Sequence, residues 1–209
     1  MTTATTTAAT APPEIYPLSL PDALPISTGG TIVAGGAAMP AAVGARGLPA
    51  DELAAKYVEL GRFYFAAGRF TEAAEAYGRA RTYAPDEAVL HFELADAAFA
   101  MGDYSSAAFL IAEAVRLDPK LVGATADKRD YYGDPKLFTE QMASLERYLH
   151  GKPYDAQAHL VYGYNLRFSG QPEAAIAAFR RVLEITPENR TALAFLAVLE
   201  PKPDEAMTR

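Results

Sequence analysis

The chain has 209 residues, with 19 Lys and Arg against 26 Asp and Glu and a formal net charge of −7. This acidic balance argues against general nucleic-acid binding, which needs a positive surface. The absence of cysteine excludes disulfides, thiolate catalysis and zinc sites built on cysteine. No apolar run approaches the ~20 residues of a membrane-spanning helix.

The first 50 residues are rich in Pro, Gly, Ala and Thr and hold one aromatic residue, Tyr16. Such a composition buries too little apolar surface to offset its chain entropy, so we expect disorder there. Residues 28–50 have the composition of a flexible Gly/Ala/Pro linker.

The stretch "EIYPLSLPDALPIS", from Glu14 to Ser27, has neither helical nor strand periodicity. Residues 8–27 resemble the translation of a common sequencing-adapter oligonucleotide. We therefore interpret residues 1–27 as an artefactual tail, with a natural Thr/Ala/Pro-rich tail as the alternative. On the first interpretation the gene extends upstream, a lost signal, anchor or further domain is a possibility, and the localisation is unknown. A complete N-terminus without signal-peptide character would instead indicate the cytoplasm.

Four prolines recur at intervals of 34 residues: Pro85, Pro119, Pro153 and Pro187. Proline stops helices, and just past a helix end it permits a turn into the next one. A fixed interval of this length is typical of a protein built from repeated helical units.

The first unit, residues 54–87, predicts two helices separated by Gly68 because its apolar and small residues recur at i, i+3, i+4 and i+7. The pattern is Tyr57-x2-Leu60-Gly61-x2-Tyr64, followed by Phe70, Ala73, Tyr77, Ala80 and Pro85. It resembles the tetratricopeptide-repeat family, whose units are helix–turn–helix pairs of 34 residues. Gly61 and Ala73 are small enough to let the two helices cross closely.

Units 88–121 and 156–189 keep this pattern, whereas unit 122–155 departs from it and is interpreted as a degenerate repeat. Lys128 and Arg129 stand where the other units place an apolar and a small residue, and Gly133 to Pro135 cut the first helix short. We expect "DKRDYYGD" to be a solvated loop rather than an acid–base cluster. Residues 189–200 predict a capping helix, and 201–209 a C-terminal tail.

The resemblance covers residues 51–200 and implies an all-α fold, a right-handed helical-repeat solenoid with a concave groove. In this family the groove takes up peptides or helices of partner proteins. The implied function is a non-catalytic protein–protein interaction module or scaffold. The alternative is a regulatory or anchoring segment of a larger enzyme or envelope protein whose N-terminal part is missing. The amino-acid sequence of the degenerate unit also resembles sequences of bacterial tetratricopeptide proteins.

The residues expected to line the groove lie on the first helix of each unit, between the packing positions. Aromatic rings mixed with carboxylates favour an apolar partner that carries Lys or Arg, although the carboxylates have the alternative of simply solvating a helix face. The best-known clamp of this family holds a C-terminal carboxylate with Lys, Asn and Arg, and the expected groove lacks the Lys–Asn pairing. The expected groove residues are Val58, Glu59, Arg62, Phe65, Phe92, Glu93, Asp96, Phe99, Asp127, Asp130, Leu160, Tyr164, Arg167 and Phe168.

We expect no catalytic residue, no cofactor and no metal. His91 and His159 occupy equivalent positions in two units, where structural packing is the expected role, and His150 ends a helix, where a cation suits the dipole. The Gly-rich stretch at residues 27–40 follows no strand and predicts no phosphate loop. The last helix would present Phe195, Val198 and Leu199 outward, which makes self-association through this helix a further possibility.

Overall fold

The computed structural model describes residues 49–200, and the predicted tail, linker and C-terminal tail lie outside these residues. Within this range the chain forms eight α-helices, two short 3-10 helices and no strand. The α-helices are α1 (Ala50–Ala66), α2 (Phe70–Tyr83), α3 (Ala88–Ala100), α4 (Tyr104–Leu117), α5 (Pro135–Gly151), α6 (Ala156–Arg167), α7 (Pro172–Ile185) and α8 (Arg190–Leu199). The predicted all-α helical-repeat fold is confirmed. Between residues 49 and 200, no helix combines the length and apolar character of a membrane span.

Acidic and amide side chains start several of these helices. Asp103, Asp155 and Asn189 each accept a hydrogen bond from the backbone N–H three residues later, at 2.9 to 3.0 Å. These bonds satisfy backbone donors that the first helical turn leaves free. The residues before α4, α6 and α8 therefore fix where each helix begins.

Glycine closes the first helix of each well-formed pair. Gly68, Gly102 and Gly170 have φ values of 73°, 80° and 77°, a conformation that glycine adopts without a steric penalty. These three residues reverse the chain so that α1 packs on α2, α3 on α4, and α6 on α7.

The third unit does not form a regular helix pair. We predicted a shortened first helix, but residues 118–134, called here the crossing segment, contain two 3-10 helices at Pro119–Gly123 and Lys128–Tyr131. The side chains of Asp118 and Asp127 accept hydrogen bonds from the N–H groups of Lys120 and Arg129, both at 3.0 Å. Such short-range bonds compete with continuous α-helix, and they start a new short turn at each aspartate.

The missing helix changes which helices are neighbours. α4 packs against α6 in the way that α2 packs against α3, while α5 lies against α3 and α6. Edge-on aromatic contacts link α5 to α4 and α3, with Tyr148 4.9 Å from Tyr104 and Phe138 6.3 Å from Phe99 between ring centroids. The proline interval survives in the third unit, but the regular stacking of pairs does not. The boundaries of the repeats remain predictions.

The last helix covers the end of the core. Phe195 is 0% exposed and stacks on Phe179 at 4.7 Å between ring centroids. The expectation that Phe195 faces outward is therefore wrong, because its ring completes the core between α7 and α8. Val198 is exposed and Leu199 is partly buried, so self-association through α8 stays a prediction that rests on fewer residues.

Two glycine-to-alanine changes test the close crossing of α6 and α7. A Cβ at Gly163 would lie 2.8 Å from the Phe179 ring, whereas no described atom comes within 4 Å of a Cβ built at Gly78 in α2. Overpacking costs about 1–3 kcal/mol, and alanine in an open helical position gains about 0.5–1 kcal/mol. We expect Gly163→Ala to lower the free energy of unfolding and Gly78→Ala to raise it, as measured by urea denaturation followed by circular dichroism. Equal shifts in both variants would contradict the close crossing.

Candidate functional site

A cavity of about 550 Å³ opens between α1, α3, α6 and the crossing segment. Helix α1 contributes Arg62 and Phe65, and helix α3 contributes Val89, Phe92, Glu93 and Asp96. The remaining wall comes from Ala66, Tyr77, Leu121, Ala124, Ala126, Lys128, Tyr131, Tyr164 and Phe168. First helices of three units therefore meet the crossing segment at one concave, largely aromatic site.

Lys128 of the crossing segment is the most deeply placed charge in this wall. Its side chain is 3% exposed, and its Nζ atom donates to the Asp96 carboxylate and, at 2.8 Å, to Oδ1 of Asn165. The same Nζ lies 3.9 Å from the centroid of the Tyr164 ring, within the range of a cation–π interaction. The expectation of a solvated loop at "DKRDYYGD" is therefore wrong for Lys128.

The two charges of this pair stabilise one another in a buried site. Burial raises the pKa of Asp96 above its ordinary value, and the Lys128 ammonium opposes that rise. Burial likewise lowers the pKa of Lys128, and the Asp96 carboxylate opposes that fall. Removing one partner of such a pair leaves an uncompensated buried charge. The pair thus fixes the crossing segment onto α3 and α6.

Backbone contacts hold both ends of the second 3-10 helix. The N–H of Lys128 donates to the carbonyl of Phe168 at 2.8 Å, and the N–H of Gly133 donates to the carbonyl of Ala66 at 3.1 Å. A side chain at position 133 would collide with that Ala66 carbonyl oxygen, so this position requires glycine. The crossing segment is consequently tied to the C-terminal ends of both α1 and α6.

A second ion pair lies at the mouth of the cavity. Nε of Arg62 donates to Oε1 of Glu93 at 2.6 Å, and the Arg62 side chain is 61% exposed while that of Glu93 is 15% exposed. Burial raises the pKa of Glu93, and the Arg62 guanidinium opposes the rise. Both carboxylates of the cavity wall are therefore already matched by a cation of the chain itself.

The structure brings part of the predicted groove to this cavity. The predicted residues that line it are Arg62, Phe65, Phe92, Glu93, Asp96, Tyr164 and Phe168. Phe65, Asp96, Tyr164 and Phe168 are buried there, Phe92 and Glu93 are half-buried, and Arg62 is exposed. Whether these residues bind a partner stays a prediction.

The other predicted groove residues do not line the cavity. Phe99 and Leu160 are buried in the core, and Asp127 pairs with Arg129. Arg167 donates from Nη2 to the carbonyl of Ala124 at 3.2 Å. The predicted residues outside the cavity wall are Val58, Glu59, Phe99, Asp127, Asp130, Leu160 and Arg167.

Sequence reasoning missed Lys128, Val89 and Tyr131 as wall residues. A signal for Lys128 was present, because this lysine occupies a position where the other units place an apolar residue. Asp96 carries the complementary signal, since it stands within the apolar stretch "LADAAFA" of α3. Two opposite charges at core positions of one repeat protein favour a buried pair.

The histidines have local structural contacts. His91 places Nδ1 3.0 Å from the carbonyl oxygen of Glu87, and His159 places Nε2 3.1 Å from that of Pro153. Among the side chains of residues 49–200, no three His, Asp or Glu residues come together as a metal site would require.

The contribution of the buried pair is testable by comparing two neighbouring basic residues. We expect Lys128→Ala to lower the free energy of unfolding by about 3–5 kcal/mol, because it leaves Asp96 buried without a counter-charge. Arg129→Ala removes only the exposed pair with Asp127 and should cost less than about 1 kcal/mol. Urea denaturation of both variants measures the difference.

The double variant Lys128→Met with Asp96→Leu removes both charges and should recover more than half of that loss. A double variant as unstable as Lys128→Ala would show that the aliphatic stem of Lys128, and not its charge, holds the segment.

Comparison with known proteins adds two matches to sequence models of one family. Residues 64–124 and residues 156–189 each match a model described as a tetratricopeptide repeat. The first match runs from the end of α1 to the first 3-10 helix, and the second covers α6 and α7. Neither match includes residues 125–155, where the helix pairing is irregular. No curated protein sequence matches the chain.

Several solved structures are similar to the chain at low identity. The first tetratricopeptide domain of Spaghetti (RPAP3), bound to an HSP90 peptide, is 20% identical over 76% of this chain and 96% of that chain, with a TM-score of 0.35. The tetratricopeptide domain of Arabidopsis OM64 is 17% identical over 72% and 96%, with a TM-score of 0.36. MamA from Desulfovibrio magneticus RS-1 is 18% identical over 76% and 98%, with a TM-score of 0.34. The chain therefore carries tetratricopeptide repeats at residues 64–124 and 156–189, and its helices follow the order that such repeats have.

Proposed function

We propose that the chain is a non-catalytic protein-interaction module that binds a peptide or helix of a partner in the cavity between α1, α3, α6 and the crossing segment. The observation that carries this proposal is the apolar rim of a concave aromatic site. Two of the residues that line it are exposed large apolar side chains, Val89 at 42% and Tyr131 at 49%. Apolar surface at the edge of a concavity is typical of a binding site.

The chemistry of the wall favours binding over catalysis. None of the side chains that line the cavity belongs to Ser, Thr, Cys or His, so the wall offers no hydroxyl or thiol nucleophile paired with an imidazole base. Asp96 and Glu93 are held in ion pairs. These groups are positioned to shape the wall rather than to transfer a proton.

The charges of the wall also bear on the kind of peptide. The HSP90 peptide bound by the RPAP3 domain, SRMEEVD, has acidic residues at its C-terminal end. Lys128 and Arg62 are both engaged by carboxylates in this chain, so neither offers a free cation to an acidic tail. The basic, apolar partner expected from the sequence would in turn compete with these two cations.

A random peptide library displayed on phage, selected against the full chain, tests the proposal. We expect selected peptides to lose affinity about tenfold or more with Tyr131→Ser, because the change removes an aromatic contact at the rim. Tyr154→Ser is the matched control, since Tyr154 is 75% exposed and lies outside the cavity. Fluorescence anisotropy of labelled peptides gives the affinities.

The control variant should bind within about twofold of the unchanged chain. A library that yields no specific peptide, or peptides that both variants bind equally, would contradict binding at this cavity.

A further inference from the structure

The cavity wall has no charge left for a ligand. Its four charged side chains form the pairs Lys128–Asp96 and Arg62–Glu93. A cationic ligand would have to displace one of the two cations, and an anionic ligand would meet two carboxylates. A charged ligand would therefore lose hydration on entering the cavity without an unpaired opposite charge to compensate it, which is unfavourable.

The rest of the wall is apolar and held in place. The rings of Phe92, Tyr164 and Phe168 contact one another, with centroids 5.0 to 6.0 Å apart. Lys128 anchors Tyr164 from one side, and its backbone N–H anchors the end of α6 at Phe168. A wall that is fixed before binding saves the cost of ordering it during binding.

The size of the cavity suits apolar groups larger than a methyl. About 550 Å³ lies within the ~300–1,000 Å³ range of known ligand pockets. Burial of apolar surface is favourable in proportion to the area removed from water, so a ring or branched chain gains the most from entering. The exposed Val89 and Tyr131 side chains at the mouth would be covered by the same event.

From this match of charge, lining and size, we infer that the cavity accepts an uncharged aromatic or branched aliphatic side chain of the partner and rejects a charged one. This inference rests on the proposed function, because it names the part of the peptide that the groove recognises. The sequence analysis expected a partner that carries Lys or Arg, whereas this inference expects an uncharged side chain in the cavity.

Two fluorescent probes with the same rings test the charge preference on the full chain. N-phenyl-1-naphthylamine is uncharged, and 8-anilinonaphthalene-1-sulfonate adds one sulfonate. We expect saturable binding of the first probe and at least about tenfold weaker binding of the second. Equal affinities would overturn the inference.

A matched pair of valine variants locates the probe. Val89→Asp places a carboxylate at the rim and should weaken the uncharged probe about tenfold or more; an acidic residue in the first turn of α3 is compatible with the helix dipole. Val198→Asp changes a comparably exposed valine of α8 that lies outside the cavity, and should leave the affinity unchanged. Thermal melts establish that both variants are folded. The same loss in both folded variants would place the probe elsewhere and overturn the inference.

Displacement of the uncharged probe by peptides identifies the side chain. The probes are acetyl-Ala-Ala-Trp-Ala-Ala-amide and its Leu, Lys and Glu analogues at the central position. Displacement by the Trp and Leu peptides, with the Lys and Glu peptides at least about tenfold weaker, supports the inference. Bound probe that none of the four peptides displaces would indicate a small apolar molecule as the occupant and overturn it.

The phage selection separates this inference from the proposed function. If selected peptides depend on Tyr131 but require a charged residue, the proposed function stands and the neutral anchor is wrong. If they depend on Tyr131 and require an aromatic or aliphatic residue, both stand.

Discussion

The buried contact between Lys128 and Asp96 replaces a helix. The third unit lacks the α-helix that would normally lie between its neighbours, and the crossing segment lies beside α3 and α6 instead. Val122 and Tyr132 of this segment pack into the core. Lys128 adds a polar attachment through its bonds to Asp96 and Asn165 and its contact with the Tyr164 ring. The position of α6 beside α4, and with it the shape of the cavity, depends on this attachment.

A buried ion pair is an expensive way to hold two elements together, because both charges lose their hydration. The pair has the advantage of being directional. An ammonium group surrounded by a carboxylate, an amide oxygen and an aromatic face has few alternative positions. An apolar side chain at position 128 could slide along the aromatic wall. The pair also keeps an acidic chain of net charge −7 from presenting a bare carboxylate in its groove. The Lys128–Asp96 contact thus both positions the crossing segment and neutralises the charge of Asp96 in the groove.

Much of the fold could be predicted from the sequence, because helix pairs depend on local signals: the proline interval, apolar spacing at i, i+3 and i+4, and glycine at each turn. The third unit could not. Its proline spacing is intact, yet Asp118 and Asp127 start short turns that the 34-residue repeat pattern does not predict. The site was predicted in part, since periodicity identifies the groove-facing positions of α1, α3 and α6. It does not reveal that Asp96 meets a lysine 32 residues further along the chain, or that Phe99 packs inward against α5.

The bond from Gly133 to Ala66 has a consequence for how the repeats unfold. In a regular solenoid each unit touches only the next one, so stability adds up from neighbours and terminal units can open alone. Here one segment is bonded to the end of α1 in the first unit and to the end of α6 in the fourth. Opening either terminal pair breaks contacts that also hold the other. The first pair of helices is therefore stabilised by Gly133, 67 residues further along the chain than Ala66, and we expect the array to open as one cooperative unit.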